Sequence, residues 1–351
     1  MGTRHPTRPI GIVRSMDGPS DRCAGTVVLT GAAGSLGDRV AELLVGHDVV
    51  LAESLGDDEV VVAGTVVDLG SSDYDTRAAR RESATESAAI TLAIADRTGA
   101  THVVFVSSAL VYGAAANNPV PLTEDATLRP DVEFVFARQL ASAEELVEQW
   151  RLARKGRTTC ILRPAVALAA GGGSVLASAL VYGLGRRLAE ADPPSQFLHL
   201  DDLASAVEIG VGVGVGARLD GVFNVAPDGW VPGERVRALS GERPRLPLPD
   251  RLREVVSGLR WRFTRGPIPP GLLPYTLEPW VISNGRLRAA GWIPTVTNEQ
   301  TYVESTEAPW WTMVSPKRRQ ELALAGGVFV LAAVALVGVA VGRRRLNRRR
   351  G

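Results

Sequence analysis

The stretch Thr26-Val27-Val28-Leu29-Thr30-Gly31-Ala32-Ala33-Gly34-Ser35-Leu36-Gly37 constrains this chain more than any other. An apolar β-branched run ends at Thr30 and a glycine-spaced turn follows. A helical pattern then opens, with Val40, Leu43 and Leu44 on one face. A strand–turn–helix unit of this kind is built to hold a pyrophosphate. Gly31 permits a tight turn, Gly34 lets the backbone approach the phosphates, and Gly37 lets the helix sit close on the strand. The helix N-terminus adds free N–H groups and the positive end of a dipole. Gly31, Ala33, Gly34, Ser35, Leu36 and Gly37 are therefore the candidate dinucleotide-binding residues.

A chain of 351 residues has room for one large α/β core with a smaller appendage. Its net charge of +1 gives no global basic field for nucleic acid. The basic residues are nearly all Arg, Lys155 and Lys317 being the only lysines. Cys23 and Cys160 lie far apart with no metal-type spacing, so neither a metal site nor a disulfide framework is expected. Cys160 sits in an apolar strand pattern and reads as a small buried hydrophobe.

The two ends differ. Residues 1–24 are rich in Arg, Pro, Gly and Ser, lack the apolar core of a signal peptide, and read as a disordered tail. Leu322 to Gly342 carries no charge and is long enough to span a bilayer as a helix. Trp310 and Trp311 before it fit an interfacial aromatic belt, and clusters of arginines flank it on both sides. A single-pass membrane anchor is expected, with the lipid bilayer as partner. Counting Arg and Lys alone would place the basic tail in the cytoplasm, and an interfacial or hairpin-like insertion would reconcile that with a cytoplasmic body. A nucleotide-binding body with no export signal belongs there instead, and the body is expected to be cytoplasmic.

Between the ends, strands alternate with helical segments, which implies a parallel sheet with crossover helices. His47 to Ala52 reads as a second strand, and Glu53 follows it. There a carboxylate is placed to accept hydrogen bonds from an adenosine ribose and to disfavour a 2′-phosphate. The alternative for Glu53 is a solvated loop acid among Asp57, Asp58 and Glu59. Glu59 to Val67 is β-rich, Glu82 to Asp96 helical, and His102 to Val106 a buried strand. Phe134 to Arg154 reads as a long helix and Thr159 to Leu162 as a strand. Gln196 to Leu200 reads as a short strand, with Asp201 or Asp202 capping the next helix. The expected organisation is a dinucleotide-binding core over 25–165, further strands and a small lobe over 166–308, and a juxtamembrane segment, membrane helix and basic tail over 309–351.

These residues resemble the extended short-chain dehydrogenase/reductase superfamily, and within it the NAD-dependent epimerase/dehydratases that act on nucleotide sugars. The landmarks are Thr30-Gly31-x-x-Gly34-x-x-Gly37, Ser107-Ser108-x-x-Val111-Tyr112-Gly113 and Leu162-Arg163-Pro164, then His199-x-x-Asp202-Leu203-Ala204 and Val222-Phe223-Asn224-Val225-Ala226. The resemblance implies a Rossmann-type, doubly wound parallel sheet that carries NAD, with NADP second. It also implies a small C-terminal lobe closing over a nucleotide-sugar-like substrate, and a homodimer. The interval between the glycine turn and Ser107 is short for the family by about one βα unit. Either Glu59 to Ala63 is the family's fourth strand and the third is missing, or Val66 to Leu69 is the third, with Asp68 near adenine, and the fourth is lost.

Catalysis in the family requires a Tyr acid/base and a Lys four residues later, one helical turn away and facing the same site. On the matching helix those positions hold Phe136 and Leu140, and none of the five tyrosines has Lys four places on. Ser108 matches the family's substrate-polarising serine and is the remaining catalytic candidate; a strand-end hydroxyl satisfied by the backbone is its plainer reading. His199 and Arg163 are expected to serve local structure, and Tyr112 packing. Three functions stay open: a degenerate NAD-binding sensor or scaffold, an active NAD-dependent enzyme using non-standard groups, and a structural membrane protein with an empty cofactor site.

Overall fold

The computed structural model describes residues 25–54, 61–70, 83–169, 174–184, 193–213, 217–240 and 270–306. The chain divides into two units, Met1–Thr306 and Glu307–Gly351. The second lies outside the described residues, and with it the expected membrane helix at 322–342, as does the tail at 1–24. Among the described residues no helix is long and apolar enough to cross a membrane.

The first unit begins with β1 (Val27–Thr30), α1 (Ser35–Leu43), β2 (Val49–Leu51) and β3 (Thr65–Asp68). It continues through α2 (Ala84–Thr98), β4 (His102–Val106), α3 (Val135–Leu152), β5 (Thr158–Pro164) and β6 (Val166–Leu168). Then come α4 (Val175–Leu184), β7 (Phe197–His199), α5 (Leu200–Val211) and β8 (Gly221–Val225). A six-stranded sheet in the order β2-β1-β3-β4-β5-β8 forms the centre, every pair parallel, beside a small parallel pair of β6 and β7. Side chains alternate across it as a pleated strand requires. Leu29 and Val104 join an apolar cluster with Val40 of α1 and Val207 of α5. Val28 and Val103 face the other way, with Ala95 of α2 and Trp150 of α3. Helices therefore cover both faces, which is why the strands read as near-continuous apolar runs.

The strand order decides between the two alignments left open above. β3 pairs with β1 on the side opposite β2, with Thr30 opposite Asp68. That is the fourth-strand place of a doubly wound sheet, and among the described residues no strand lies outside β2. The shortening thus falls on the third strand, as the first alignment held, but the strand is Thr65–Asp68 rather than 59–63. Val62 is exposed and Gly64 precedes the strand, so the β-prone run outlasts its buried part. Asp68 is correspondingly not where the second alignment put it.

Helix ends follow their capping chemistry. Ser83 and Glu86 form a reciprocal capping box at the start of α2, and Gly99 closes that helix at φ 71°. At α5 the cap is His199, whose side chain accepts from the Asp201 amide, rather than Asp201 or Asp202. Asp202 is drawn away by tertiary partners: its carboxylate accepts from the Thr295 and Val296 amides and from the Thr295 hydroxyl.

His102 opens β4 fully buried, bonded through Nδ1 to the Thr158 hydroxyl (2.8 Å) and through Nε2 to the Gly210 carbonyl (2.9 Å). A carbonyl only accepts, so Nε2 carries the proton and Nδ1 accepts from Thr158. Burial pushes the ring's pKa down to about 4, outweighing the pull of the Gly210 carbonyl. Between that value and the unfolded value near 6.5 the unfolded chain binds more protons, so stability rises with pH. Unfolding measured at pH 4 and pH 7 should show a loss of up to about 3 kcal/mol at the lower pH. His102→Gln should flatten that slope; an unchanged slope in the variant would contradict the assignment.

Candidate functional site

The glycine turn is fixed by two close approaches of backbone. Gly31 sits at φ 60°, and a Cβ there would run into the backbone of Gly70, at the end of β3. A Cβ on Gly37 would meet the carbonyl of Ala32. Helix α1 starts after Gly34 with no side-chain cap. The amides of Ser35, Leu36 and Gly37 have no carbonyl within the helix to bond, which leaves a concave row of donors. Ala33 is exposed in the turn itself.

Behind the turn lies a polar cluster. The Asp68 carboxylate accepts from the Gly70 amide (2.8 Å) and the Thr91 hydroxyl (3.1 Å), and Thr91 is bonded to Thr30 (2.8 Å). Burial pushes the Asp68 pKa up against the pull of these donors. The carboxylate is thus engaged in holding Gly70 against Gly31 and faces away from solvent. Glu53 is different: it lies exposed in the short turn after β2, beside the end of β1. The structure therefore brings Glu53 and the glycine turn to the same sheet edge.

The second half of the site lies at the C-terminal ends of β4 and β5. A small, open pocket there is bounded by Ser108, Phe136, Ala165, Ala177, Leu203 and Trp280 among others. Ser108 and Phe136 thus meet at one place, as the motif spacing predicts. The Ser108 hydroxyl accepts from the Leu110 amide (3.3 Å), capping the turn Ala109–Tyr112. Phe136 is 2% exposed, in edge contact with Phe134. Leu140, one turn on, is fully buried and shares an apolar cluster with Leu110, Ala143 and Val147. Both positions offer packing surface.

One turn further along the same face of α3 sits Glu144, 4% exposed. It receives a bidentate contact from Arg163 of β5, with Nη2 to Oε2 at 2.6 Å, and a 2.5 Å bond from the Ser107 hydroxyl. Arg163 Nη1 donates to the Tyr112 hydroxyl (2.8 Å), which donates to Asn224 of β8 (2.7 Å). Burial opposes the Arg163 charge, and the bonds to Glu144 and Tyr112 outweigh it, so the guanidinium's pKa is raised. Arg163 and Tyr112 therefore serve structure, as expected. Glu144 was the residue that motif reading passed over, though an acid on an otherwise apolar helix face, two turns past Phe136, was a visible signal.

Cys160 is fully buried in β5, where burial pushes its thiol up; Cys23 lies outside the described residues. His199, the cap of α5, is also 3.8 Å from Glu304 and belongs to the packing of the small strand pair.

Comparison with known proteins agrees with this architecture. Residues 58–209 match the sequence model of the NAD dependent epimerase/dehydratase family, a match that begins after the glycine turn. No curated protein matches the sequence. Among solved structures, the UDP-glucose 4-epimerase of Thermus thermophilus in complex with NAD is similar at 17% identity and TM-score 0.53, covering 80% of this chain and 97% of its own. RMD from Pseudomonas aeruginosa, complexed with NADPH, is similar at 22% identity and TM-score 0.54, covering 79% and 96%. A human epimerase family protein with NADPH is similar at 18% identity and TM-score 0.56, covering 80% and 98%. The family's sequence model thus covers residues 58–209, and these solved structures share the fold.

Removing one partner of the Glu144–Arg163 pair strands a buried charge. Arg163→Met should cost about 3–5 kcal/mol in chemical unfolding. Glu144→Leu added to it should recover a large part of that loss; simple additivity of the two substitutions would contradict a coupled pair.

Proposed function

We propose that this protein binds NAD at the glycine turn without turning it over, and works as a membrane-anchored nucleotide-responsive sensor or scaffold. The observation that carries the reading is the pairing of a tight, glycine-dependent turn before α1 with an apolar Phe136–Leu140 face. The cradle fits the cofactor: Gly31 and Gly37 leave no room for a Cβ, and the uncapped amides of α1 point where a pyrophosphate is needed. When bound, NAD supplies a nicotinamide able to accept or give a hydride. Glu53, exposed after β2, would accept from the ribose hydroxyls of a bound cofactor and repel a 2′-phosphate, which would rank NAD above NADP.

Acid/base catalysis at the neighbouring pocket needs a group that moves a proton near neutral pH. Phe136 has none to give, and Ser108 has no titratable partner on the described pocket wall. A nucleotide-sugar-like ligand is the occupant suggested by the family, and turnover with non-standard residues is the competing reading. The apolar run 322–342 with its basic flanks supports anchoring.

Two measurements test this. The full-length protein, incubated with NAD and UDP- or dTDP-linked sugars, should give no epimerised or dehydrated product. Turnover abolished by Ser108→Ala would establish the competing reading instead. Removal of residues 309–351 should shift the protein from the membrane to the soluble fraction; retention on membranes would remove the anchor from the account.

A further inference from the structure

We infer that Asp68 is a positioning residue of the glycine turn and acts as a neutral carboxylic acid, its proton bond continued through Thr91 and Thr30 to the Val67 carbonyl. The inference deepens the proposed function and rests on its reading of that turn as the seat of a diphosphate. Asp68 ends β3 at 1% exposure, opposite Thr30, the residue that leads into Gly31. One carboxyl oxygen takes the Gly70 amide (2.8 Å), and the other lies 3.1 Å from the Thr91 hydroxyl. Thr91 is 2.8 Å from the Thr30 hydroxyl, which is in turn 3.3 Å from the Val67 carbonyl. The acid is thereby linked to a backbone oxygen through two buried hydroxyls.

Counting protons separates the two states of the acid. Each threonine hydroxyl has one proton to give, and a carbonyl has none. With Asp68 ionised, two protons must serve three contacts: Thr30 donates to Thr91, Thr91 donates to Asp68, and Val67 receives nothing from Thr30. With Asp68 neutral, every contact has its proton. Asp68 Oδ2 then donates to Thr91, Thr91 to Thr30, and Thr30 to the Val67 carbonyl. The distances between heavy atoms are the same in both states, so the 3.1 Å contact serves with either oxygen as donor.

The surroundings favour the neutral form. β1, β4 and α2 pack around the acid and present Thr30, Phe105, Ser87 and Thr91, none of which carries a charge. Among the described residues no arginine or lysine is bonded to it. A buried charge without a counter-ion is costly, and burial raises the Asp68 pKa while the Gly70 and Thr91 bonds pull the other way. Neutrality matters because of what the acid braces. Gly70, held by Oδ1, is the residue whose backbone a Cβ on Gly31 would strike. An ionised Asp68 would set a negative charge beside an anion site and repel a diphosphate. The neutral acid supplies the same brace without that field.

Infrared difference spectra of the full-length protein at neutral pH, wild type minus Asp68→Asn, test the protonation directly. The wild type should show the C=O stretch of a protonated carboxyl that the variant lacks. Thr91→Val removes the acceptor for that proton at nearly constant shape and should move the band to the position of an unbonded acid. NAD titration tests the brace. Asp68→Asn keeps the neutral pattern, accepting from Gly70 and donating to Thr91, and should leave the NAD dissociation constant within about twofold. Asp68→Ala removes the brace and should weaken NAD about tenfold. The inference is overturned if the wild type has no such band, if neither Asp68→Asn nor Thr91→Val alters it, or if Asp68→Asn weakens NAD as much as Asp68→Ala. The infrared readout needs no cofactor, so the two claims separate. A wild type with the band but no affinity for NAD refutes the proposed function, whereas NAD binding without the band refutes this inference alone.

Discussion

The buried ion pair between Glu144 and Arg163 joins the elements on which the site depends. It ties α3 to β5, and through Tyr112 and Asn224 it reaches β8, while Ser107 links it to the end of β4. Desolvating two charges is costly, and this arrangement is tolerable only because the carboxylate and guanidinium are fully engaged by each other and by neutral hydrogen-bonding groups. The result is a rigid floor at the C-terminal ends of the central strands. In an open α/β sheet, ligands bind in that place.

Two halves of a site stand on that floor, and they carry different chemistry. At the β1 edge, close backbone approaches at Gly31 and Gly37 maintain a turn shaped for phosphate, with Asp68 bracing Gly70 from behind. At the β4–β5 end, the face of α3 presents Phe136 and then Leu140 to the hydrophobic interior. The packing there is apolar: Leu140 is fully buried among Leu110, Ala143 and Val147. On the function proposed above, an apolar α3 face beside the glycine turn serves recognition rather than turnover.

Much of this was legible in the sequence because the signals were local. The Thr30–Gly37 turn, the Ser83–Glu86 capping box and the αL glycine at position 99 each follow from residues a few places apart. The shared face of Phe136 and Leu140 was legible for the same reason, since helical spacing puts residues four apart on one side. What escaped was set by partners distant in sequence. Whether the strand at 65–68 ranks third or fourth depends on which side of β1 it pairs, and β propensity is blind to that. Asp202 reads as a cap, yet Thr295 and Val296 claim it from across the fold. Glu144 belongs to the same class: its role exists only once β5 brings Arg163 against α3.

Direct calorimetric titration of the full-length protein with NAD tests most closely whether the glycine turn holds a cofactor. NAD should bind with one-to-one stoichiometry, and Gly37→Val, which drives a side chain into the Ala32 carbonyl, should abolish binding while the protein stays folded. A folded wild-type protein that takes up neither NAD nor NADP would contradict the account and leave the Rossmann unit as a scaffold alone.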